Sequence, residues 1–410
     1  MLVKRWAEKE LELFLKTFRI VGIYGPRQCG KTTLAKNIVD QSNILYLDQI
    51  NNVENMKDYI IEFINNGDSP VLIDEVQKAP FIINQIKHIV DLNNTKGQFL
   101  LTGSSNPLLL PYSKESLAGR IGMIYLNTLT EGEIRSNKST FLDSIFAIQK
   151  IKRKHICSRK EILQIALRGG YPEILALTNE QRAIWYKAYI DTIITNDLKQ
   201  LTGLIKTVEL KQLLTILATF SSKYINYNKI ATTLGLNVET VKKYLLYLTT
   251  AGLVSTVPSY QKTDYKRLIK APKIFLTDSG LLSSLLNWDY EIISKTPDIC
   301  GKLVESFAFH ELKAMIDIDI NYNLFQFREN NGHEIDFIIE NESRNHVVAI
   351  EVKSSESISK SDFKNIKWFK KNILNADIKF TGIVMYTGSL SYNIAEDSDL
   401  FVLSMAQLYS

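Results

Sequence analysis

The chain has 410 residues, with 49 Lys and Arg against 44 Asp and Glu, and a net charge of +5. This near balance excludes a protein that binds nucleic acid through overall charge alone, so any basic surface must be local. Three scattered cysteines exclude a disulfide framework. The sequence contains no run of ~18 apolar residues of the kind that predicts a membrane span. The first residues lack the apolar core of a secretory signal. We expect a cytoplasmic protein of about two to four domains.

The first predicted strand, residues 20–24, runs into GPRQCGKT and then into a helix. This is the pattern G-x-x-x-x-G-K-[ST] in the context of a phosphate-binding loop. Glycines let such a loop wrap around phosphate with its N–H groups pointing inward. Lys31 would reach the β- and γ-phosphates of ATP, and the Thr32 hydroxyl would ligate Mg²⁺. The predicted nucleotide-binding residues are Gly25, Pro26, Arg27, Gln28, Cys29, Gly30, Lys31, Thr32 and Thr33.

A second buried strand, residues 71–73, ends in Asp74 and Glu75. Apolar runs of this kind are typical of parallel strands, and acids at their carboxyl ends lie where such sheets bind ligands. We predict that Asp74 holds Mg²⁺ and that Glu75 polarises the attacking water.

A third strand, within GQFLLTGSSN, ends in Ser104, Ser105 and Asn106, which either sense the γ-phosphate or form an ordinary polar turn. Further on, Arg120 follows Gly119 directly. Arg120 either stabilises transition-state charge, in cis or from a neighbouring subunit, or forms a surface salt bridge.

The middle of the chain predicts a helix-turn-helix. A short helix over residues 229–234 meets the turn GLN, and Asn237 would cap the second helix before strands follow, as in a winged helix. Lys242 and Lys243 lie on the polar side of the second helix. The next segment interleaves Tyr260 and Tyr265 with Lys262, Lys266, Arg267, Lys270 and Lys273. This local basic surface is either a contact for the DNA backbone, a solvated face or a protein-docking module.

The C-terminal region predicts a separate α/β domain with charges inside apolar strands. Glu351 and Lys353 are two residues apart and share a face, and Asp336 lies on the preceding strand. If the strands pair, the two carboxylates form a hard-oxygen site for Mg²⁺ or Mn²⁺, beside a lysine that assists phosphodiester hydrolysis. The alternative is a salt-bridge pair on a half-exposed sheet.

Several segments occur in the order of a known family: GPRQCGKTTL, LIDEVQ, LTGSSN, LAGR, RGGYPE, DTIITNDL, FLTDSGLL, KLVESFAFHEL and EIDFII…IEVKSS. The chain resembles the AAA-type ATPases of bacteria and archaea that carry a C-terminal domain of unknown function. LRGGYPEIL resembles the Gly-x-Pro element of related signalling ATPases, which implies that Gly170 and Pro172 contact the nucleotide from a helical lid. The C-terminal segments resemble the restriction-endonuclease-like PD-(D/E)xK superfamily, which implies Asp336 and Glu351 as metal ligands, Lys353 as the assisting lysine and Glu305 as a further carboxylate.

The predicted fold is multidomain α/β: a P-loop AAA-type ATPase core (1–135), a helical lid (136–204), a winged helix-turn-helix (205–280) and a PD-(D/E)xK nuclease-like domain (281–410). The first functional hypothesis is a MgATP-hydrolysing ATPase that acts on DNA, alone or as a homo-oligomer, with a metal-dependent nuclease. The second is a nucleotide-dependent switch or scaffold whose nuclease-like domain binds without cleavage.

Overall fold

The computed structural model describes residues 3–50, 52–104, 117–147, 155, 157–198, 206–261, 270–329, 331–395 and 397–410. The chain divides into two compact units. The first comprises Met1–Leu129 with Thr250–Gly252, and the second comprises Thr130–Thr249 with Leu253–Ser410. No helix in the described ranges combines the length and apolar character needed to cross a membrane.

The first unit is built on a parallel sheet of five strands in the order β2-β3-β4-β1-β5. Its strands are β1 (Ile20–Tyr24), β2 (Ile44–Tyr46), β3 (Val71–Asp74), β4 (Phe99–Gly103) and β5 (Ile121–Tyr125). Its helices are α1 (Ala7–Thr17), α2 (Lys31–Lys36), α3 (Lys57–Asn66) and α4 (Ile82–Leu92). β3 and β4 are buried along their whole length, which is why they read as unbroken apolar runs. The predicted strands of the phosphate-binding region are confirmed.

The second unit contains the remaining helices: α5 (Glu131–Ile134), α6 (Phe141–Ala147), α7 (Arg159–Arg168), α8 (Asn179–Thr192), α9 (Thr207–Thr219), α10 (Tyr227–Leu234), α11 (Val238–Thr250), α12 (Ser279–Leu285), α13 (Tyr290–Lys295), α14 (Pro297–Ile316) and α15 (Lys364–Asn372). α10 and α11 are the two predicted helices. The turn between them contains Gly235 at φ 64°, and the Asn237 side chain accepts the Thr240 N–H at 2.7 Å, so the predicted cap is confirmed.

A small antiparallel sheet is formed by one strand before these helices and two strands after them, in the order β6-β8-β7. Its strands are β6 (Lys223–Tyr224), β7 (Val254–Val257) and β8 (Lys273–Leu276). Lys262, Tyr265, Lys266 and Arg267 of the predicted basic segment lie outside the described residues. The winged-helix assignment therefore stays a prediction.

The C-terminal part of the second unit is a mixed sheet of six strands, in the order β13-β14-β12-β11-β10-β9. The strands are β9 (Tyr322–Arg328), β10 (Glu334–Asn341), β11 (His346–Lys353), β12 (Lys379–Tyr386), β13 (Tyr392–Asn393) and β14 (Leu400–Ser404). β10 and β11 pair antiparallel, with Phe337, next to Asp336, opposite Ile350, next to Glu351. The predicted pairing of these two strands is confirmed.

The interpretation of Tyr260 as part of a basic surface is wrong. Its ring is buried and packs edge-on against Phe325 and Phe369 in the core of the six-stranded sheet, at centroid distances of 5.8 and 5.5 Å. Its backbone N–H also donates to the Gln326 carbonyl at 2.6 Å. A tyrosine in a polar segment carries no sequence signal that separates an exposed ring from a ring that completes a distant core.

Candidate functional sites

The phosphate-binding loop follows the carboxyl end of β1 and folds around its own lysine. Gly25 has φ 152°, and a Cβ atom there would lie 2.2 Å from the Leu126 carbonyl oxygen, so only glycine fits. Lys31 is buried, and its ammonium donates to the carbonyls of Gly25 at 3.1 Å and Pro26 at 2.8 Å. The Lys31 ammonium, which is predicted to bind phosphate, therefore lies inside the loop.

Arg5 anchors this loop from the segment before α1. Its buried guanidinium donates to the Cys29 carbonyl at 2.8 Å and to the Asn127 carbonyl at 2.7 Å. The Cys29 thiol in turn donates to the Leu126 carbonyl at 3.2 Å. Sequence reasoning missed Arg5, because nothing in its local sequence indicates a partner more than twenty residues away.

The predicted magnesium ligands lie next to each other. The Thr32 hydroxyl, at the start of α2, donates to Asp74 Oδ1 at 2.7 Å, and Asp74 is buried at the end of β3. The Thr102 hydroxyl, on the neighbouring strand β4, donates to the same carboxylate oxygen. It also accepts the backbone N–H of Glu75 at 3.4 Å. Thr102 was not predicted, and it links both acids of the site.

Glu75 and Ser104 are joined through Gln77. The Gln77 amide donates to the Glu75 carboxylate and, at 3.2 Å, to the Ser104 hydroxyl. Glu75 has φ 57°, in the left-handed region that is uncommon for a non-glycine residue, and such strain is common at active sites. The structure thus brings the predicted Glu75 and Ser104 together. Ser105 and Asn106 lie outside the described residues.

Arg120 is at the opposite edge of the sheet from the phosphate loop. Arg120 directly precedes β5, whose first residue pairs with Ile20, the first residue of β1. The phosphate-binding loop instead follows the last residue of β1. The five residues of β1, at ~3.3 Å each, therefore separate Arg120 from the loop. Its guanidinium forms a bidentate pair with Asp91, at 2.5 and 2.9 Å. A role for Arg120 in cis at this loop is therefore wrong, and a role from a neighbouring subunit stays a prediction.

The first unit fits MgATP. Positive φ angles at Gly25, Gln28 and Gly30 shape the loop for close approach, and α2 starts directly after it, where anions are favoured. The adjoining hydroxyl and carboxylate of Thr32 and Asp74 are hard-oxygen ligands of the kind Mg²⁺ takes.

Gly170 and Pro172 belong to the second unit. The Gly170 N–H donates to Asp278 Oδ2 at 2.7 Å, and Pro172 begins a short 3₁₀ helix, Pro172–Ala176. Asp278 is buried and also caps α12 by accepting the Leu281 N–H at 2.8 Å. The turn that the sequence predicted is present, and the nucleotide contact of these two residues stays a prediction.

The carboxylates of the C-terminal domain are already engaged by protein donors. Asp336 accepts the Val352 N–H at 2.9 Å through one oxygen, and Lys353 donates to Glu351 Oε1 at 2.8 Å. Glu351 Oε2 is buried and has no hydrogen-bond partner within the described residues. Glu351 and Lys353 lie together, as the sequence predicts, and form an ion pair.

Sequence reasoning also misplaced Lys273. It was interpreted as part of a basic surface, but its side chain is only 1% exposed. Its ammonium lies 2.6 Å from Glu305 Oε1, 3.0 Å from Asp336 Oδ1 and 3.6 Å from Glu334 Oε1. β8 turns Lys273 inward, so the residue neutralises buried acids instead of extending a basic face.

Burial changes the proton affinity of this cluster. Burial, followed by the Asp336 charge, raises the pKa of both Glu305 and Glu351 to about 8. Burial alone would lower the pKa of Lys273, but the charges of Asp336 and Glu305 raise it well above its ordinary value. The lysine therefore stays charged at neutral pH, and the two glutamates release their protons less readily than exposed glutamates do.

A divalent metal does not fit this arrangement. Both oxygens of Asp336 accept hydrogen bonds, and the ammonium of Lys273 takes the position between Asp336 and Glu305. Across the described ranges, no group of three or more His, Cys, Asp or Glu side chains is placed to hold a metal ion. The predicted ligand set of Glu305, Asp336 and Glu351 is therefore a lysine-filled ion cluster here.

Lys242 and Lys243, the two predicted basic residues on α11, are exposed. Lys242 forms a surface pair with Glu239 at 2.9 Å, and Lys243 lies 5.8 Å from the Tyr247 ring centroid. A second basic face lies on α15, where Lys364, Lys367 and Lys371 are all exposed at i, i+3 and i+7 spacing.

Family models match three segments of the chain. Residues 17–135 match an AAA domain, residues 159–291 match a domain of unknown function (DUF8612), and residues 300–408 match a domain of unknown function (DUF4143). Together with the loop geometry, the first match makes the N-terminal domain a P-loop ATPase domain of the AAA type.

Relatives at the level of whole chains are distant. An uncharacterized protein of Mycobacterium tuberculosis is 28% identical over 364 residues, 88% of this chain and 76% of that protein. One of Haemophilus influenzae is 24% identical over 298 residues, 67% of this chain and 70% of that protein. Among solved structures, the Walker-type ATPase of Pyrococcus abyssi matches 68% of this chain and 94% of its own, at 13% identity and a TM-score of 0.39. These similarities assign no function.

Proposed function

We propose that this protein binds and hydrolyses MgATP at the loop of residues 25–32. The observation that carries this proposal is the junction of Thr32, Asp74 and Thr102, which aligns a hydroxyl and a carboxylate at the carboxyl edge of a parallel sheet. Thr32 and Asp74 would hold Mg²⁺, which neutralises charge on the phosphates when bound.

The protein's own groups account for the other steps. Lys31 exchanges its loop carbonyls for phosphate oxygens when ATP binds. Glu75, held by Gln77 beside Ser104, orients the attacking water and accepts its proton. Arg5 holds the loop against the segment after β5, because its guanidinium binds the carbonyls of both Cys29 and Asn127.

The test is phosphate release from ATP in Mg²⁺. Lys31→Ala removes the buried ammonium of the loop, so we expect hydrolysis to fall to background. Lys36→Ala is the matched control, because Lys36 is an exposed lysine on the same helix. Hydrolysis that survives Lys31→Ala, or that falls equally with Lys36→Ala, would overturn the proposal.

For the C-terminal domain, the Lys273 cluster favours the second functional hypothesis. A nuclease of this type needs a metal between carboxylates, and an ammonium takes that position. We therefore propose a nucleotide-dependent switch whose nuclease-like domain binds without cleavage in this arrangement. Plasmid and single-stranded DNA that stay intact with Mg²⁺ or Mn²⁺, with and without ATP, are the expected result; cleavage that Glu351→Ala abolishes would contradict it.

We further propose that the partner is DNA, contacted through its phosphates. Support comes from exposed Lys242 and Lys243 and from the α15 face of Lys364, Lys367 and Lys371. The three α15 lysines form no ion pair with a described residue. Replacing the three α15 lysines by Ala should weaken duplex binding alike for all sequences. The slope of log K against log salt should fall by up to ~2.7, at ~0.9 per phosphate contact. Unchanged affinity and slope, with Lys295→Ala as control, would exclude this surface.

A further inference from the structure

The cation inside the C-terminal carboxylate cluster comes from a different sheet. Glu305 is on α14, whereas Asp336 and Glu351 are on β10 and β11 of the six-stranded sheet. Lys273 belongs to β8, the central strand of the three-stranded sheet. One substructure thus supplies the acids and another supplies the ammonium.

β8 is held in place by packing on the same face as the lysine. Phe275, two residues beyond Lys273, points the same way along the strand. Its ring stacks on Phe309 of α14 at a centroid distance of 4.2 Å and lies 5.8 Å from Phe337 of β10. The neighbouring strands fix the register, with Lys273 opposite Tyr224 and Val257. The ammonium position is therefore set by a packed strand rather than by a flexible side chain alone.

An ammonium and a divalent ion compete for these oxygens. A metal would need Glu305 Oε1 and Asp336 Oδ1, which lie 2.6 and 3.0 Å from Lys273 Nζ, and two cations at one pair of oxygens repel each other strongly. Glu351 Oε2, buried and unpartnered within the described part of the chain, is a ligand position that the lysine leaves unused.

We infer that Lys273 is a built-in cation that keeps divalent metal out of the cluster, and that removing its charge creates a metal site from Glu305, Asp336 and Glu351. Lys273 thereby blocks the site from within the same chain. This inference does not depend on the proposed ATPase activity, because cluster and loop lie in different units.

The test measures Mn²⁺ binding by electron paramagnetic resonance on the nucleotide-free full chain. Lys273→Met keeps the chain length of the side chain and removes the charge. We expect this variant to gain one bound Mn²⁺ per chain, with at least a tenfold lower Kd than the wild type and a higher unfolding temperature in Mn²⁺. Lys295→Met, which removes a lysine from an exposed pair with Glu291, should gain nothing.

Adding Glu351→Gln to Lys273→Met should abolish binding of the gained Mn²⁺. This result would show that the ion binds at the cluster rather than elsewhere on the chain. If Lys273→Met alone does not fold, the double variant Lys273→Met with Glu305→Gln removes one charge of each sign, and it should still bind Mn²⁺ more tightly than the wild type. The inference is overturned if the folded variant gains no ion. It is also overturned if the wild type already binds Mn²⁺ in a manner that Glu351→Gln abolishes.

Discussion

Thr102 holds together the two acids on which hydrolysis depends. Its hydroxyl donates to Asp74 and accepts the Glu75 N–H, so a single side chain aligns the proposed metal ligand with the residue proposed to position water. The sequence offers no signal for this role, because a threonine in an apolar strand is ordinary. Its importance follows from the order of the sheet, which inserts β4 between β1 and β3.

Replacing Thr102 by Val keeps the shape and removes the hydroxyl. Without the hydroxyl, the Asp74 carboxylate and the Glu75 N–H each lose a partner, and an unsatisfied buried polar group costs about 1–3 kcal/mol. If this cost also raises the energy of the transition state, kcat falls by roughly 10- to 100-fold. We expect the Kd for ATP to change little, since the loop is intact. Thr102→Ser is the matched control and should retain activity. Steady-state kinetics with Thr102→Val at the wild-type kcat would contradict this role.

At the scale of elements, α14 connects three parts of the second unit. It carries Glu305 into the ion cluster, stacks Phe309 on β8, and buries Glu311 against the start of α5. Glu311 Oε1 accepts the Glu131 N–H at 2.9 Å, while its other oxygen has no hydrogen-bond partner within the described residues. Burial raises the pKa of Glu311 well above its ordinary value.

This raised pKa predicts a pH dependence of stability. A carboxyl whose folded pKa exceeds its unfolded value of ~4.3 stabilises the folded state fully below that value and loses the contribution as pH rises. Glu311→Gln keeps the acceptor for Glu131 but cannot ionise, so unfolding temperatures between pH 5 and 9 should decline less steeply than in the wild type. Glu356→Gln, at an exposed site, is the control. An unchanged decline in Glu311→Gln would contradict the prediction.

Local patterns predicted the elements that are specified locally. The loop after β1, the acids after β3, the Asn237 cap and the pairing of β10 with β11 each depend on residues close together in the chain or on strand periodicity. Lys273 and Tyr260 were misplaced because their partners lie far along the chain; Lys273 and Asp336 are 63 residues apart. A lysine among other basic residues gives no sign that a distant carboxylate will bury it.

At the scale of the whole molecule, Arg120 offers a test of the predicted homo-oligomer. Its place at the amino-terminal edge of the sheet leaves a neighbouring subunit as the only route to a phosphate site of this kind. Its pair with Asp91 is exposed and shared with Arg19, which lies 3.5 Å from the same carboxylate. Exposed pairs of this kind form and break readily.

We therefore expect Arg120→Ala to leave ATP hydrolysis unchanged in dilute protein, because the residue does not reach its own loop. If subunits share sites at higher concentration, Arg120→Ala alone should lose hydrolysis there. Mixing it with Lys31→Ala should then restore activity, since each variant retains what the other lacks. Arg19→Ala is the matched control at the same edge. A loss of hydrolysis in Arg120→Ala that does not depend on concentration would contradict the geometry.

The central claim is that ATP is both bound and hydrolysed at the loop of residues 25–32, and Glu75→Gln separates these two events. The change removes the base but keeps the hydrogen bonds of an uncharged side chain, so ATP should bind with a Kd within about threefold of the wild type, while phosphate release falls by ~10²- to 10⁴-fold. Measuring both quantities on the same preparation is the most direct test. Phosphate release at the wild-type rate in Glu75→Gln would contradict the account.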